Sequence, residues 1–184
     1  MGILPRDFYA RNTVEVARDL LGKVLVHGET AGRIVEVEAY LGSGDEAAHS
    51  ARGLTPRTRV IFGPPGHAYV YLIYGMYECL NIVAEPEGQA GCVLLRALEP
   101  LAGIEVMKQR RGNKALCNGP GKLTRALGVT WENYGADLTT GPLRVEDWGY
   151  QPGEITVSAR IGISVSAELP LRFHISGNPH VSRP

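Results

Sequence analysis

Two residues apart in the run Arg33-Ile-Val-Glu-Val-Glu-Ala-Tyr40 stand a carboxylate, Glu38, and an aromatic ring, Tyr40. The run alternates. Read as a strand, it puts Val35, Val37 and Ala39 on one face and Glu36, Glu38 and Tyr40 on the other. Farther on, Ala68-Tyr-Val-Tyr-Leu-Ile-Tyr74 is rich in β-forming residues and stops at Gly75, and Met76 to Val83 follows as its hairpin partner. Four tyrosines, at 69, 71, 74 and 77, crowd into this hairpin although aromatic residues make up only 7% of the chain. Flat rings, one carboxylate and a Gly-supported tip describe a pocket for a flat ligand, with something protruding beside it. Arg96 interrupts Cys92-Val-Leu-Leu-Arg-Ala-Leu98, which otherwise reads as a buried strand. A buried guanidinium needs an anionic partner or a water network. Glu38 across the sheet would serve, and the pair could fix one water between them.

These strands must be carried by a fold, and composition narrows which. At 184 residues the chain can bury a core as one domain, spanning 1–184, without disulfides or metals. Hydrophobic content of 44% and charged content of 21% are ordinary for a globular protein. Three cysteines without a C-x-x-C pair argue against a disulfide framework or a zinc site. With no signal peptide and no long apolar span, no membrane association is expected and a cytoplasmic setting is.

Asn12-Thr-Val-Glu15 predicts a helix start with a capping box, and Val16, Ala17, Leu20 and Leu21 form its apolar stripe. A strand over 23–27 then joins the Glu38 strand through a hairpin-length loop. Residues 41–66 form a long Gly-, Pro- and Arg-rich connection, of the kind that tends to carry function. Pro100 is expected to end the Arg96 strand. Helices follow over 103–111 and from Asn118-Gly-Pro-Gly121 onward, with further strands over Ile155 to Val165 and Leu171 to Ile175. The sum is an α+β fold with a curved, mostly antiparallel sheet and a few packed helices.

Net charge is zero, but it is unevenly placed. Residues 101–125 hold six cationic side chains (Lys108, Arg110, Arg111, Lys114, Lys122 and Arg125) against Glu105 alone. Arg52, Arg57 and Arg59 form a second basic cluster in the long loop. Residues 132–154 lean acidic. Such polarity lets one face meet a polyanion, although solvated helix and loop faces look the same in sequence. Glu46-Ala-Ala-His49 has the spacing of a di-iron ligand pair but lacks the second copy and the long helices that such sites use, so no metal is expected. Gly119-Pro-Gly-Lys122 lacks the upstream glycine of a phosphate loop, and no Gly-x-Ser-x-Gly elbow occurs.

Taken together, several motifs resemble the alkyladenine (3-methyladenine) DNA glycosylase family. They are Glu-Ala-Tyr-Leu-Gly at 38–42, Asp-Glu-Ala-Ala-His-Ser at 45–50, Thr-Pro-Arg at 55–57 and Tyr-Val-Tyr-Leu-Ile-Tyr-Gly-Met-Tyr at 69–77. Leu-Leu-Arg-Ala-Leu-Glu-Pro at 94–100, Leu-Cys-Asn-Gly-Pro-Gly-Lys-Leu at 116–123 and Pro-Leu-Arg-Phe at 170–173 continue the series in order.

The resemblance implies an enzyme that flips alkylated or deaminated purines out of duplex DNA and hydrolyses the N-glycosidic bond. Glu38 would activate the water, and Arg96 would help hold both. Tyr40, His49 and Tyr71 would line the pocket, and π-faces would favour cationic purines. Asn81 would meet the 2-amino group of guanine, and Tyr74 would wedge into the vacated stack. Arg52, Arg57, Arg59 and Lys122 would face the DNA. No cofactor and no lysine nucleophile are implied, so strand cleavage is not expected, and the protein would act as a monomer. Two other readings stay open on the residues: a noncatalytic nucleic-acid-binding module with an aromatic platform, and a small-molecule purine enzyme. The first gives no reason for a phosphate-repelling carboxylate beside the rings. The second leaves the basic loop and the hairpin tip without a role.

Overall fold

The computed structural model describes residues 2–112 and 115–183. Lys114, counted above in the basic run, lies outside the described residues. Among those described, nine strands form one sheet around β3 (Thr30–Tyr40), with β2 (Val24–His27), β7 (Leu143–Asp147) and β1 (Gly2–Ile3) in turn on one side. On the other side lie β6 (Gly91–Ala102), β5 (Tyr77–Ala84) and β4 (Ala68–Ile73). Every pairing between these strands is antiparallel.

The sheet forks at β3. Thr30 to Arg33 pair with β2, whereas Glu36 to Glu38 pair on that same edge with β9 (Arg172–Ile175), which in turn holds β8 (Ile155–Ser158). Two register shifts separate Ile34 from Val37 against β6, one leaving Val35 and the other leaving Arg96 without a direct partner. Bulges of this kind sharpen twist and re-aim side chains, and here they curl the sheet and turn Arg96 toward the carboxylates.

One face of the sheet packs against helices. Helix α2 (Thr13–Leu20) buries Val16, Ala17 and Leu20, and helix α4 (Pro120–Leu127) buries Leu123, Ala126 and Leu127. Together they cover Val35, Val37, Leu80, Ile82, Val93 and Leu95. Asn12 caps α2 by accepting from the Val14 amide, and Pro120 stands in the first turn of α4, where its missing N–H costs nothing. Two further helices, α1 (Arg6–Tyr9) and α3 (Ile104–Arg111), flank these.

Several expectations need correction. Glu15 does not return the capping bond among the described residues; beside the Asn12 cap, the Glu85 carboxylate accepts from the Thr13 amide and hydroxyl. Pro100 does not end β6, which runs on to Ala102. It sits opposite Gly32 beside a register shift, and β5 pairs only with the beginning of β6, so a missing N–H is tolerated there. The strand expected over 155–165 stops at Ser158, because Arg160 turns inward to a buried partner. Strands β1 and β7 have no counterpart among the sequence-based expectations.

The long loop after β3 returns close to the sheet at its start. A Cβ placed on Gly42 would fall 1.6 Å from the Gln89 carbonyl oxygen, so only glycine lets the two segments touch. Gly42→Ala is therefore expected to lower Tm by roughly 5 °C or more, as backbone overpacking costs about 1–3 kcal/mol or above. Gly153→Ala, with nothing near its Cβ position, should melt like wild type in the same scan.

Candidate active site

Register assembles the site. Tyr69 on β4 pairs with Asn81 on β5, Asn81 with Leu94 on β6, Leu94 with Glu38 on β3, and Glu38 with Arg172 on β9. One row thus crosses five strands. Flanking rows pair Tyr71 with Cys79, and Cys92 with Tyr40. Because side chains alternate, these residues all emerge on the face opposite the helices.

They enclose a cavity of about 390 Å³, lined by Tyr40, His49, Arg57, Tyr69, Tyr71, Tyr74, Asn81 and Arg96 among others. That size suits one planar bicyclic ligand. His49 stands edge-on to Tyr71 with centroids 4.6 Å apart, and its Nδ1 is 2.8 Å from the Tyr69 hydroxyl. The Asn81 side-chain amide donates to the Tyr69 carbonyl at 3.2 Å, which fixes its orientation in the wall.

Glu38 does not line the cavity. It lies under the floor, fully buried, beneath Arg96, Tyr40 and Ile161. Although they stand on the polar side of the β3 alternation, Glu36 and Glu38 are both inaccessible. Oε1 of Glu38 accepts from the Ile161 amide at 2.7 Å and lies 3.3 Å from Arg96 Nη1. Oε2 accepts from the Tyr40 hydroxyl at 2.9 Å. A carboxylate offers about four acceptor positions. Among the described residues hydrogen bonds fill two, one on each oxygen, and Arg96 faces Oε1 as an ion-pair partner, so Oε2 keeps a free position. Burial and the Glu38 charge push the Tyr40 hydroxyl well above the usual phenol range, so it stays a donor.

Below lies a second carboxylate. Glu36 accepts from Arg96 Nε at 3.0 Å, from Arg172 Nε at 2.8 Å and from both the amide and hydroxyl of Ser182. Burial opposes its ionisation, but the bonds from Ser182 and Arg172 outweigh it and hold the carboxyl below its usual range. Beside this pair, Arg160 makes a fully buried two-pronged ion pair with Asp45 at 2.6 and 2.8 Å. Its guanidinium also stacks 4.6 Å from the centre of the Tyr40 ring. Asp45 further accepts from the Leu41 and Ala47 amides, tying the long loop to the floor.

At the rim, Tyr74 is 82% exposed at the tip of the β4–β5 hairpin. Tyr74 and Gly75 have φ of 54° and 65°, and Met76 N donates to Ile73 O at 3.1 Å. Left-handed φ at both centres matches the twist of a hairpin, but a tyrosine there costs about 1–2 kcal/mol. Such strain is commonly kept where a side chain must be presented.

The structure therefore gathers Tyr40, His49, Tyr71, Tyr74, Asn81 and Arg96 around one cavity with Glu38 beneath it. Arg57, expected on the DNA side, lines the cavity itself. Arg52, Arg59 and Lys122 are exposed and lie outside it, and Lys122 Nζ bonds Asn118 Oδ1. Sequence reasoning counts Tyr69 among the pocket rings without a role of its own, and assigns none to Asp45, Arg160, the Ile161 amide or Arg172. Tyr69 shares the parity of Tyr71 and could have been placed with it. Arg172, between Leu171 and Phe173, carries the same signal that marks Arg96.

Burial, and then the charges of Arg57 and Arg52, push the His49 imidazole down to about 4. Between pH 6.5 and about 4 the unfolded chain binds a proton that the folded chain refuses. Stability should thus fall as pH falls through that window. NMR titration of the His49 ring is expected to give a midpoint well below that of an exposed histidine, and Arg57→Gln should raise it.

Known proteins are similar to this chain over almost its whole length. The family model described as methylpurine-DNA glycosylase (MPG) matches residues 7–179. A Methanoculleus marisnigri protein named "Putative 3-methyladenine DNA glycosylase" is 54% identical over 98% of this chain and 98% of its own length. Proteins of the same name from Chlorobaculum parvum and Methanocella arvoryzae are 52% and 49% identical, over 97% and 100% of this chain and 90% and 97% of theirs. With the model match covering nearly all the described sheet and its site, the chain belongs to the methylpurine-DNA glycosylase family.

Proposed function

We propose that this protein excises alkylated or deaminated purines from duplex DNA by hydrolysing the N-glycosidic bond. The observation that carries the reading is the unfilled acceptor position of the buried Glu38 directly beneath an aromatic-walled cavity. A water held there and by Arg96 would lose its proton to Glu38 as it attacks the sugar. Positive charge develops on the sugar as the bond breaks, and the carboxylate stabilises that charge electrostatically.

A base inside a duplex cannot reach this floor, so the nucleotide must rotate out of the stack. Tyr40, Tyr71 and His49 give the flipped base its walls. Tyr74 offers the ring that occupies the gap, because it stands clear of the body on a tight turn. Asn81, with its amide nitrogen committed to Tyr69, presents a fixed edge to the base and would collide with the 2-amino group of guanine. Arg52, Arg59 and Lys122 would meet phosphates. No lysine lines the cavity among the described residues, which favours hydrolysis to an abasic site without strand cleavage.

The test is incubation with duplexes carrying single hypoxanthine, ethenoadenine or 7-methylguanine lesions, followed by alkali cleavage of abasic sites. Wild type should yield cleaved strands only after alkali. Glu38→Gln keeps the shape but cannot take the proton, so excision should fall by about 10²-fold or more while lesion binding persists. Activity within tenfold of wild type would remove Glu38 from the reaction. The wedge makes a separate demand. Tyr74→Ser should slow excision most for well-paired lesions and least for mispaired ones, since flipping costs a few kcal/mol that pairing increases. An equal loss on all duplexes, accompanied by a lower Tm, would mark Tyr74 as a packing residue instead.

A further inference from the structure

The two tyrosines offered for stacking are already engaged by cations. Arg160 lies 4.6 Å from the Tyr40 ring centre and Arg57 lies 5.1 Å from that of Tyr71. A guanidinium over a ring draws on the same negative π-charge that would attract a cationic base. Their compensation differs. Arg160 is neutralised by Asp45, and Arg96 by Glu36 and Glu38. Arg57 has no carboxylate partner among the described residues, yet it lines the cavity. The segment that bears it is held in place, because the Tyr134 hydroxyl donates to the Arg57 carbonyl at 3.0 Å. An unbalanced positive charge thus stands in the wall against which a flipped base would rest.

We propose that Arg57 is a specificity-determining residue of this pocket, disfavouring cationic purines relative to neutral ones such as hypoxanthine. The inference rests on the glycosylase reading and narrows its substrate class, against the expectation that bare π-faces favour cationic bases. His49, on the same wall, shows the effect on a resident group: its protonated form is disfavoured by burial, and then by Arg57 and Arg52. A purine methylated at N7 carries its positive charge in the five-membered ring and would experience the same repulsion. Hypoxanthine carries none.

The experiment compares wild type, Arg57→Gln and Arg57→Lys in single-turnover excision of hypoxanthine and of 7-methylguanine from one duplex position. It is run at mildly acidic pH, so that the methylated base keeps its charge. A lost phosphate contact would slow both substrates alike, so the readout is the ratio of the 7-methylguanine rate to the hypoxanthine rate. Arg57→Gln should raise that ratio about tenfold, the order expected for removing one charge a few ångströms away in a partly wet site. Arg57→Lys keeps the charge and should stay close to the wild-type ratio. An unchanged ratio in Arg57→Gln, or an equal rise in Arg57→Lys, would overturn the proposal. Release of both lesions at an unaltered ratio defeats this inference alone, whereas release of neither by wild type defeats the glycosylase reading and this inference with it.

Discussion

The whole arrangement depends on two carboxylates, Glu36 and Glu38, buried on one face of one strand with no surface exposed to bulk solvent. An isolated charge at such a depth would neutralise itself or unfold the strand. Here each carboxylate is met by guanidinium and hydrogen-bond donors from distant parts of the chain. Arg96 comes from β6, Arg172 from β9, Ser182 from beyond it and the Ile161 amide from the turn after β8. The fork of the sheet follows from this need. The β3 edge must release β2 and accept β9 where the carboxylates lie, and the register shifts at Val35 and Arg96 bring a side chain out of the regular ladder to serve them. Removing one donor would leave a charge uncompensated, which makes the network unforgiving to mutation.

Above that floor the residues divide by rigidity. Tyr40, Tyr71 and Asn81 stand on paired strands, and Asn81 is additionally bonded to the main chain. His49 and Arg57 stand on the long loop, which Asp45, Thr55, Thr58 and Tyr134 fasten by hydrogen bonds. Tyr74 stands on neither; it is carried on a strained turn away from the core. One wall is therefore fixed by strand pairing and the other by hydrogen bonds from a loop, while the protruding ring stands clear of both.

Alternation makes β3 readable from the chain, because an apolar period of two fits an extended strand and no helix, while β-forming residues mark β4, Gly75 marks its partner β5 and an apolar run marks most of β6. Arg96 is legible since a charge amid Leu94, Leu95, Ala97 and Leu98 demands a partner. The sequence identifies that partner only by half: it points to Glu38, but Glu36 takes the shorter contact. Nothing local marks Asp45 and Arg160 as a pair across 115 positions, or Glu36 and Ser182 across 146. That distance also accounts for the absence of a strand over 159–165, since its inward turn answers to Asp45 and not to its own sequence. Strand β7, Leu-Arg-Val-Glu-Asp, alternates over only four residues and is held by pairing with β1 and β2, so its period of two is legible but short.

The bond from Ser182 to Glu36 also sets an order of events when the chain is made. Synthesis runs from the N-terminus, so Glu36 leaves the ribosome 146 residues ahead of the group that satisfies it. At ordinary elongation rates this interval is on the order of ten seconds. Throughout it the helices, β2 and the tyrosine hairpin can form, but the carboxylate beneath the cavity lacks both β9 and the strap behind it. Assembly of the site is thus deferred until Ser182 has been made, and a chain short of that residue holds the aromatic walls before it holds their floor.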